Sequence, residues 1–321
     1  MDTFRNRRRP IAILLGLLAV AATACGGQSA APPVPETPAD GSDFPVTVDG
    51  ANGFVEIADR PTKIVSLSPT ATEMLFAIEA GQQVVAVDDQ SNFPPEVPVT
   101  DLSGFTPNIE AIAAKEPDLV IVSNDIEDVV AGLGKLDIDT LLLPAAEALS
   151  DTYDQIETLG AATGHTDEAE ELVSTMKDQI EELAGRVPEP EEPLTYYHEL
   201  DQTYFSVTSA TFAGKIYDLV GLRNIADAVP DQAGGYPQLS SEYIVEADPD
   251  FIFLADTKCC GQSTETVAAR PGWASITAVE KGQVIPLDDD IASRWGPRIV
   301  DYLRTIVEGV NRSGGGADST P

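Results

Sequence analysis

Two stretches of the chain repeat one pattern. Glu110-Ala-Ile-Ala-Ala-Lys-Glu-Pro117-Asp118-Leu-Val-Ile-Val and Glu242-Tyr-Ile-Val-Glu-Ala-Asp-Pro249-Asp250-Phe-Ile-Phe-Leu each place a glutamate seven residues before a Pro-Asp pair, which opens a short apolar run. Each reads as a short helix, a turn and a buried strand. A run apolar on both faces suits a parallel sheet covered by helices on both sides. Helix-turn-strand units with Pro-Asp turns are common in α/β proteins. The equal spacing of the glutamates nevertheless favours duplication, with two similar α/β halves.

Between the halves lies one long helical pattern, Thr166 to Ala184. Ala169, Leu172, Val173, Met176, Ile180, Leu183 and Ala184 recur at steps of three and four, which makes one apolar stripe. Thr166 can cap its start, and Gly185 with Pro188, Pro190 and Pro193 enforces its stop. At 1.5 Å per residue the helix runs roughly 28 Å. It reads as a single strut between two lobes.

The ends carry signals of their own. Residues 1–10 hold an arginine cluster, and Ile11 to Ala22 form an apolar run ending in small residues, a secretory signal pattern too short for a membrane span. Ala22-Thr23-Ala24-Cys25 resembles a bacterial lipobox, with Ala22 in place of the usual Leu, and predicts lipidation of Cys25. Ordinary secretion with cleavage near Ala24 is the alternative. Residues 26–43, rich in Gly, Ala, Pro and Ser, read as a flexible tether. The chain has a net charge of −34, and removal of residues 1–24 leaves −37. Such acidity repels phosphate backbones and argues against a nucleic-acid partner.

Several chemistries leave no local trace. Two histidines, His165 and His198, cannot build a multi-His metal cage, and no His-Glu-x-x-His, Walker A loop, dinucleotide fingerprint or Gly-x-Ser-x-Gly elbow occurs. We therefore expect no enzyme activity, no resident metal and no cofactor. Lys63 to Leu67 reads as the first buried strand. Ser68-Pro69 then opens a helix whose N-terminus faces the crevice where ligands of open α/β sheets bind. Ser68 can equally serve as an ordinary helix cap. Asn124 stands at the carboxyl end of the strand Leu119 to Val122.

Six motifs in this order resemble one family: Ser66-Leu-Ser68-Pro69-x-x-Thr72-Glu73, Asn108-x-Glu110 with Pro117-Asp118, Gly221-x-x-Asn224-Ile225, Glu242 with Pro249-Asp250, Pro271-Gly272-Trp273, and Arg294-x-x-Pro297-Arg298. Over about residues 45–310 the chain resembles the substrate-binding lipoproteins of ABC importers, the class III periplasmic binding proteins that take cobalamin or iron(III)-siderophores. The resemblance implies an α/β fold of two Rossmann-like lobes joined by one long helix, a ligand cleft between them and little hinge closure. The expected organisation is a signal peptide at 1–24, a tether at 25–44, an N-terminal lobe at 45–165, a linking helix at 166–186, a C-terminal lobe at 187–310 and a disordered tail at 311–321.

The implied function is extracytoplasmic capture of an iron(III)-siderophore or a cobalamin-like corrinoid. The implied partners are an ABC permease with its ATPase, a small metal chelate, and the cell membrane through a lipid anchor. A surface receptor for haem or another tetrapyrrole, and a secreted hydrolase, are the competing readings. In the family, one acidic residue per lobe meets permease arginines. By motif position these are Glu110 and Glu242, which could alternatively just complement helix dipoles. Phe93, Phe205, Tyr236, Asp290 and Arg294 match cleft positions of the cobalamin-binding members. Gly104 and Ser123 stand where those proteins carry cleft tryptophans. Arg294 could pair with an anionic chelate or brace Asp290 at i,i+4. Trp295 is core or cleft. Cys259 and Cys260 suit a vicinal disulfide in an oxidising compartment, with free thiols in the cleft as the alternative and redox sensing or soft-metal binding third.

Overall fold

The computed structural model describes residues 44–188, 192–230 and 234–314. A leading hairpin, β1 (Val46–Gly50) and β2 (Gly53–Ile57), is followed by two parallel sheets. The first holds β3 (Ile64–Leu67), β4 (Val84–Val87), β5 (Leu119–Val122) and β6 (Thr140–Leu142) in the spatial order β4-β3-β5-β6. The second holds β7 (Thr195–Glu199), β8 (Arg223–Asn224), β9 (Phe251–Leu254) and β10 (Val284–Pro286) in the order β8-β7-β9-β10. Both read second-first-third-fourth in chain order, so topology repeats as well as sequence.

The Pro-Asp pairs explain part of that repetition. Asp118 precedes β5 and accepts the backbone N–H groups of Thr62 and Lys63 at 2.9 Å each, just ahead of β3. Asp250 precedes β9 and accepts the N–H of Thr195, the first residue of β7, at 2.9 Å. Ile64 pairs with Leu119 and Tyr196 with Phe251, so each aspartate pins the same register between first and third strands. A carboxylate there satisfies amides that the ladder has not yet reached.

Helices cover both sheets. In the first half these are α1 (Pro69–Ala77), α2 (Ile109–Ala113), α3 (Val129–Gly134) and α4 (Leu149–Thr163), and α5 (Thr166–Ala184) crosses between the halves. The second half has α6 (Phe212–Asp218), α7 (Ser241–Ala247), α8 (Thr257–Cys260), α9 (Thr264–Ala268), α10 (Thr277–Glu280), α11 (Asp289–Ala292) and α12 (Ile299–Gly314). The closing helix thus runs into the stretch read from sequence as tail. α1 stops at Ala77, before Gly81, because Glu79 takes a left-handed conformation, φ 65°.

Side-chain alternation decides where the cores lie. Leu119 and Ile121 of β5 enter one large cluster, while Val120 and Val122 enter a smaller one with Val65, Ile112 and Leu133. In β9, Phe251 and Phe253 enter the same large cluster, while Ile252 and Leu254 join Tyr197 and Trp273 in a third. A period of two sends alternate residues to opposite faces. Each sheet therefore has a private core on one face and shares the large core on the other. The stripe of α5 (Ala169, Val173, Met176, Ile180, Leu183) and residues of α12 complete the shared core.

Candidate functional site

Parallel strands point their carboxyl ends at the loops that carry the candidate residues. Ser66 and Thr72 hydrogen-bond at 2.9 Å, Thr72 meets Ser91 at 2.9 Å, and the Ser91 hydroxyl donates to Asp88. This buried chain runs from β3 through α1 to the end of β4 and fixes the start of the loop 88–105. Burial holds the Asp88 carboxyl above its usual range, and the Ser91 bond offsets part of that rise.

The seam between the halves is ionic. Glu73 of α1 is buried and accepts from Arg294 Nη1 at 2.7 Å and from Arg298 Nε at 2.8 Å. Arg294 also donates to Asn92 Oδ1 at 3.0 Å, to the Gln90 carbonyl at 2.9 Å and to Asp290 at 3.3 Å. Its guanidinium is thus occupied on several sides, and it is 9% exposed. The i,i+4 contact with Asp290 is present but is the longest of its bonds. In the sequence Glu73 stands only as the last residue of the first family-like motif. What the sequence could not give was the partner, 221 residues away.

Asp290 is shared among neighbours. It accepts from Asn92 Nδ2 at 3.2 Å and from Lys258 Nζ at 2.8 Å, and Lys258 also reaches Asp288 at 2.7 Å. Burial raises the Asp290 pKa, but the bond from Lys258 and the charge of Arg294 outweigh it, so the carboxyl titrates below its usual range. Asp289 holds the α8 turn by accepting the N–H groups of Thr257, Lys258 and Cys259, each at 2.9 Å. Cys259 and Cys260 are joined as a disulfide and exposed on that turn. Asn92 and Lys258, which link the predicted residues, carry no motif signal in the sequence.

The aromatic candidates divide. Phe93 lies under the Arg298 guanidinium, 4.2 Å from its ring centroid, and stays 40% exposed. A cavity of about 170 Å³ opens beside it, lined by Glu73, Phe76, Pro94, Pro297 and Arg298. Phe205 is half-buried, and its backbone is bridged to Gln238. Tyr236 stands out from the neighbouring strand segment at 45% exposure. Trp273 is fully buried and donates to Ser241 Oγ at 2.8 Å, so it cannot touch a ligand. Trp295 is half-buried and donates to Gln155 at 3.0 Å, its carbonyl accepting from Thr152. It belongs to the seam.

Ser68 is buried, and its hydroxyl accepts from Ala71 N at 3.3 Å. Its side chain serves as the ordinary helix cap. Asn124 is half-buried beside Ser123, 3.4 Å away. Glu110 and Glu242 are both exposed and both second residues of short helices, α2 and α7. Asn108 and Ser240 cap those helices through bonds from Ala111 N and Tyr243 N at 3.0 and 3.1 Å. Cys25 lies outside the described residues.

Two sheets of one topology, joined at a fixed ionic seam and flanked by exposed aromatic side chains, suit a solute-binding protein. A family model described as periplasmic binding protein matches residues 64–291. The chain is 31% identical to an uncharacterized ABC transporter substrate-binding lipoprotein, YvrC, of Bacillus subtilis, over 83% of this chain and 86% of the relative. It is 29% identical to a cobalamin-binding protein of Halobacterium salinarum, over 93% of this chain and 83% of the relative. In shape it resembles the periplasmic heme-binding protein HutB of Vibrio cholerae, with a TM-score of 0.69 at 22% identity, covering 77% of this chain and 98% of that one. The chain belongs to the periplasmic binding protein family and is a substrate-binding protein.

Proposed function

We propose that the protein captures a metal chelate, an iron(III)-siderophore or a cobalamin-like corrinoid, and hands it to an ABC permease and its ATPase. The observation that carries the reading is the pair of like sheets whose carboxyl edges present exposed aromatic residues across a seam already closed by its own ion pairs. Aromatic faces suit a corrin ring or catecholate rings. With Arg294 committed to Glu73, affinity rests on shape and apolar contact more than on a free charge. The cavity beside Phe93 is too small for such a ligand, so the ligand occupies the open crevice.

Haem is the competing ligand, and it draws support from the heme-binding neighbour in shape. It commonly takes an axial protein ligand. His198 is fully buried with Nδ1 on Tyr217 at 2.8 Å, and His165 sits against Arg60 at 2.7 Å. Both imidazoles are thus engaged, whereas the exposed Tyr236 phenol offers the kind of oxygen that haem also takes as an axial ligand. Calorimetric titration with cyanocobalamin, a ferric tris-catecholate and haemin tests the chelate reading. Tight binding of haemin alone, with a Soret band, rejects it.

In this reading Cys25 carries the lipid that keeps the body at the outer membrane face, since one such anchor needs no spanning helix. Glu110 and Glu242 orient docking on basic sockets of the permease. Exposed carboxylates do this weakly and salt-sensitively, which suits a partner that must be released.

A further inference from the structure

Cys259 and Cys260 close the smallest ring that a disulfide can make. A disulfide stabilises a fold more the longer the chain it loops, so a bridge between adjacent residues adds little by that route. Both cysteines are exposed, so the bridge does not serve a core either. What it fixes is one turn. α8 is 4 residues long, too short to hold itself as a helix. Its start is tied by Asp289, which accepts the N–H groups of Thr257, Lys258 and Cys259 and, at 2.7 Å, the Thr257 hydroxyl. Its end has the disulfide, the left-handed Gly261 at φ 66°, and one long bond of 3.4 Å from Gln262 Nε2 to the Cys260 carbonyl.

The turn stands at a junction. Lys258 bonds to Asp288 and Asp290, and Asp290 meets both Arg294 and Asn92 of the other half. Arg294 in turn holds the Gln90 carbonyl. A contiguous run of polar contacts therefore leads from the exposed disulfide to the loop 88–105, which follows the carboxyl end of β4.

We infer that the Cys259–Cys260 bridge is a site of thiol–disulfide exchange, and that a dithiol reductant, by opening it, loosens the seam and the crevice loop that the seam holds. One thiolate of the reductant bonds to a cysteine sulfur, the bond between the cysteines breaks, and the other cysteine leaves as a thiolate. The second thiol of the reductant then attacks its own bonded sulfur and expels the first cysteine. The reductant departs as a cyclic disulfide, two electrons and two protons having passed to the protein. A monothiol stops at the mixed disulfide, where the freed neighbouring cysteine, held beside it, reverses the step. With the ring open, Cys259 and Cys260 regain backbone and side-chain freedom. The amides on Asp289 and the Lys258 bonds are the contacts that this fraying reaches first. A consequence for affinity rests on the ligand class proposed above; the loosening does not.

The test uses the mature chain in three forms: bridged, reduced under native conditions with dithiothreitol, and carrying Cys259→Ser with Cys260→Ser. Alkylation with peptide mapping reads the state of the two cysteines. Hydrogen exchange is read at the amides of Thr257, Lys258 and Cys259, and at Asp89 and Ser91 of the crevice loop, whose N–H groups are bonded to Leu102 and Asp88. Dithiothreitol is expected to open the bridge without unfolding the protein and to speed exchange at both places by about tenfold. The double serine variant should show the fast rates from the start and not respond to reductant. Affinity is compared between the bridged parent and that variant, because the reductant would also attack a ferric probe. For whichever of cyanocobalamin, a ferric tris-catecholate and haemin the parent binds, it should be about fivefold weaker in the variant, the low end of ordinary coupling between sites. Alkylatable thiols at 259 and 260 before any reductant, or a bridge that opens only on unfolding, would overturn the inference. Unchanged exchange at Asp89 and Ser91 after reduction overturns it too, whatever the ligand. If the parent binds none of the probes, the ligand class fails, and the exchange rates still decide this inference.

Discussion

Two buried carboxylates show how differently this chain treats like residues. Glu73 faces two guanidinium groups within a bonded network. Asp256, just after β9, is buried with neither oxygen receiving a hydrogen bond, beside buried Glu199, which takes both arms of Arg270 at 2.6 Å. Burial, and then the charge of Glu199, push the Asp256 pKa up from 3.8 to about 7. Between those values the folded protein binds more protons than the unfolded chain, so stability falls as pH rises through this window. Asp256→Asn is expected to raise the melting temperature at pH 8, by relieving about 1–3 kcal/mol of buried unpaired charge, and to lose that gain as pH approaches 4. Glu73→Ala is expected to cost about 3–5 kcal/mol, since it strands two largely buried arginines. Urea titration measures it, and a loss below about 1 kcal/mol would place the seam outside the stability argument.

At the scale of elements, legibility followed locality. β3, β5, β9 and α5 could be drawn from the sequence because each depends on a run or a stripe that neighbouring residues define. In the structure Asn108 and Ser240 cap the helices whose second positions are Glu110 and Glu242. Ser240→Ala is expected to cost about 1 kcal/mol of stability with ligand affinity unchanged. Removing both glutamates, Glu110→Ala with Glu242→Ala, is expected to spare affinity and cut uptake by cells, read by transport of labelled ligand. Unchanged uptake would reject docking through these residues. Arg294 was not legible in this way. Its i,i+4 neighbour Asp290 was visible in the sequence, but its shorter bonds go to Glu73, Gln90 and Asn92, which only the meeting of the two halves brings near.

For the whole molecule the shared core matters most. The large cluster runs from Ile64 and Met74 through α5 to Phe251 and Tyr302 without a break, and Lys215 adds a bond across to the Glu147 carbonyl at 2.8 Å. Lobes fused through a close-packed interior have little freedom to rotate. Ligand binding should therefore change the radius of gyration by less than about 1 Å in small-angle scattering, the shift of a preformed site. Denaturant unfolding followed by buried Trp273 in one half and by overall helicity should coincide in a single transition. A separate early transition would mean that the halves fold independently.

The sequence by itself determined the elements, the duplication and the class, because hydrophobic period, turn chemistry and ordered motifs are all short-range. Tertiary structure decided which side chains remain free to meet a ligand. The side chains of Ser68 and Arg294 looked available and are taken up by a cap and an ionic seam. Burial and pairing depend on residues more than two hundred positions apart, and no local pattern encodes that distance.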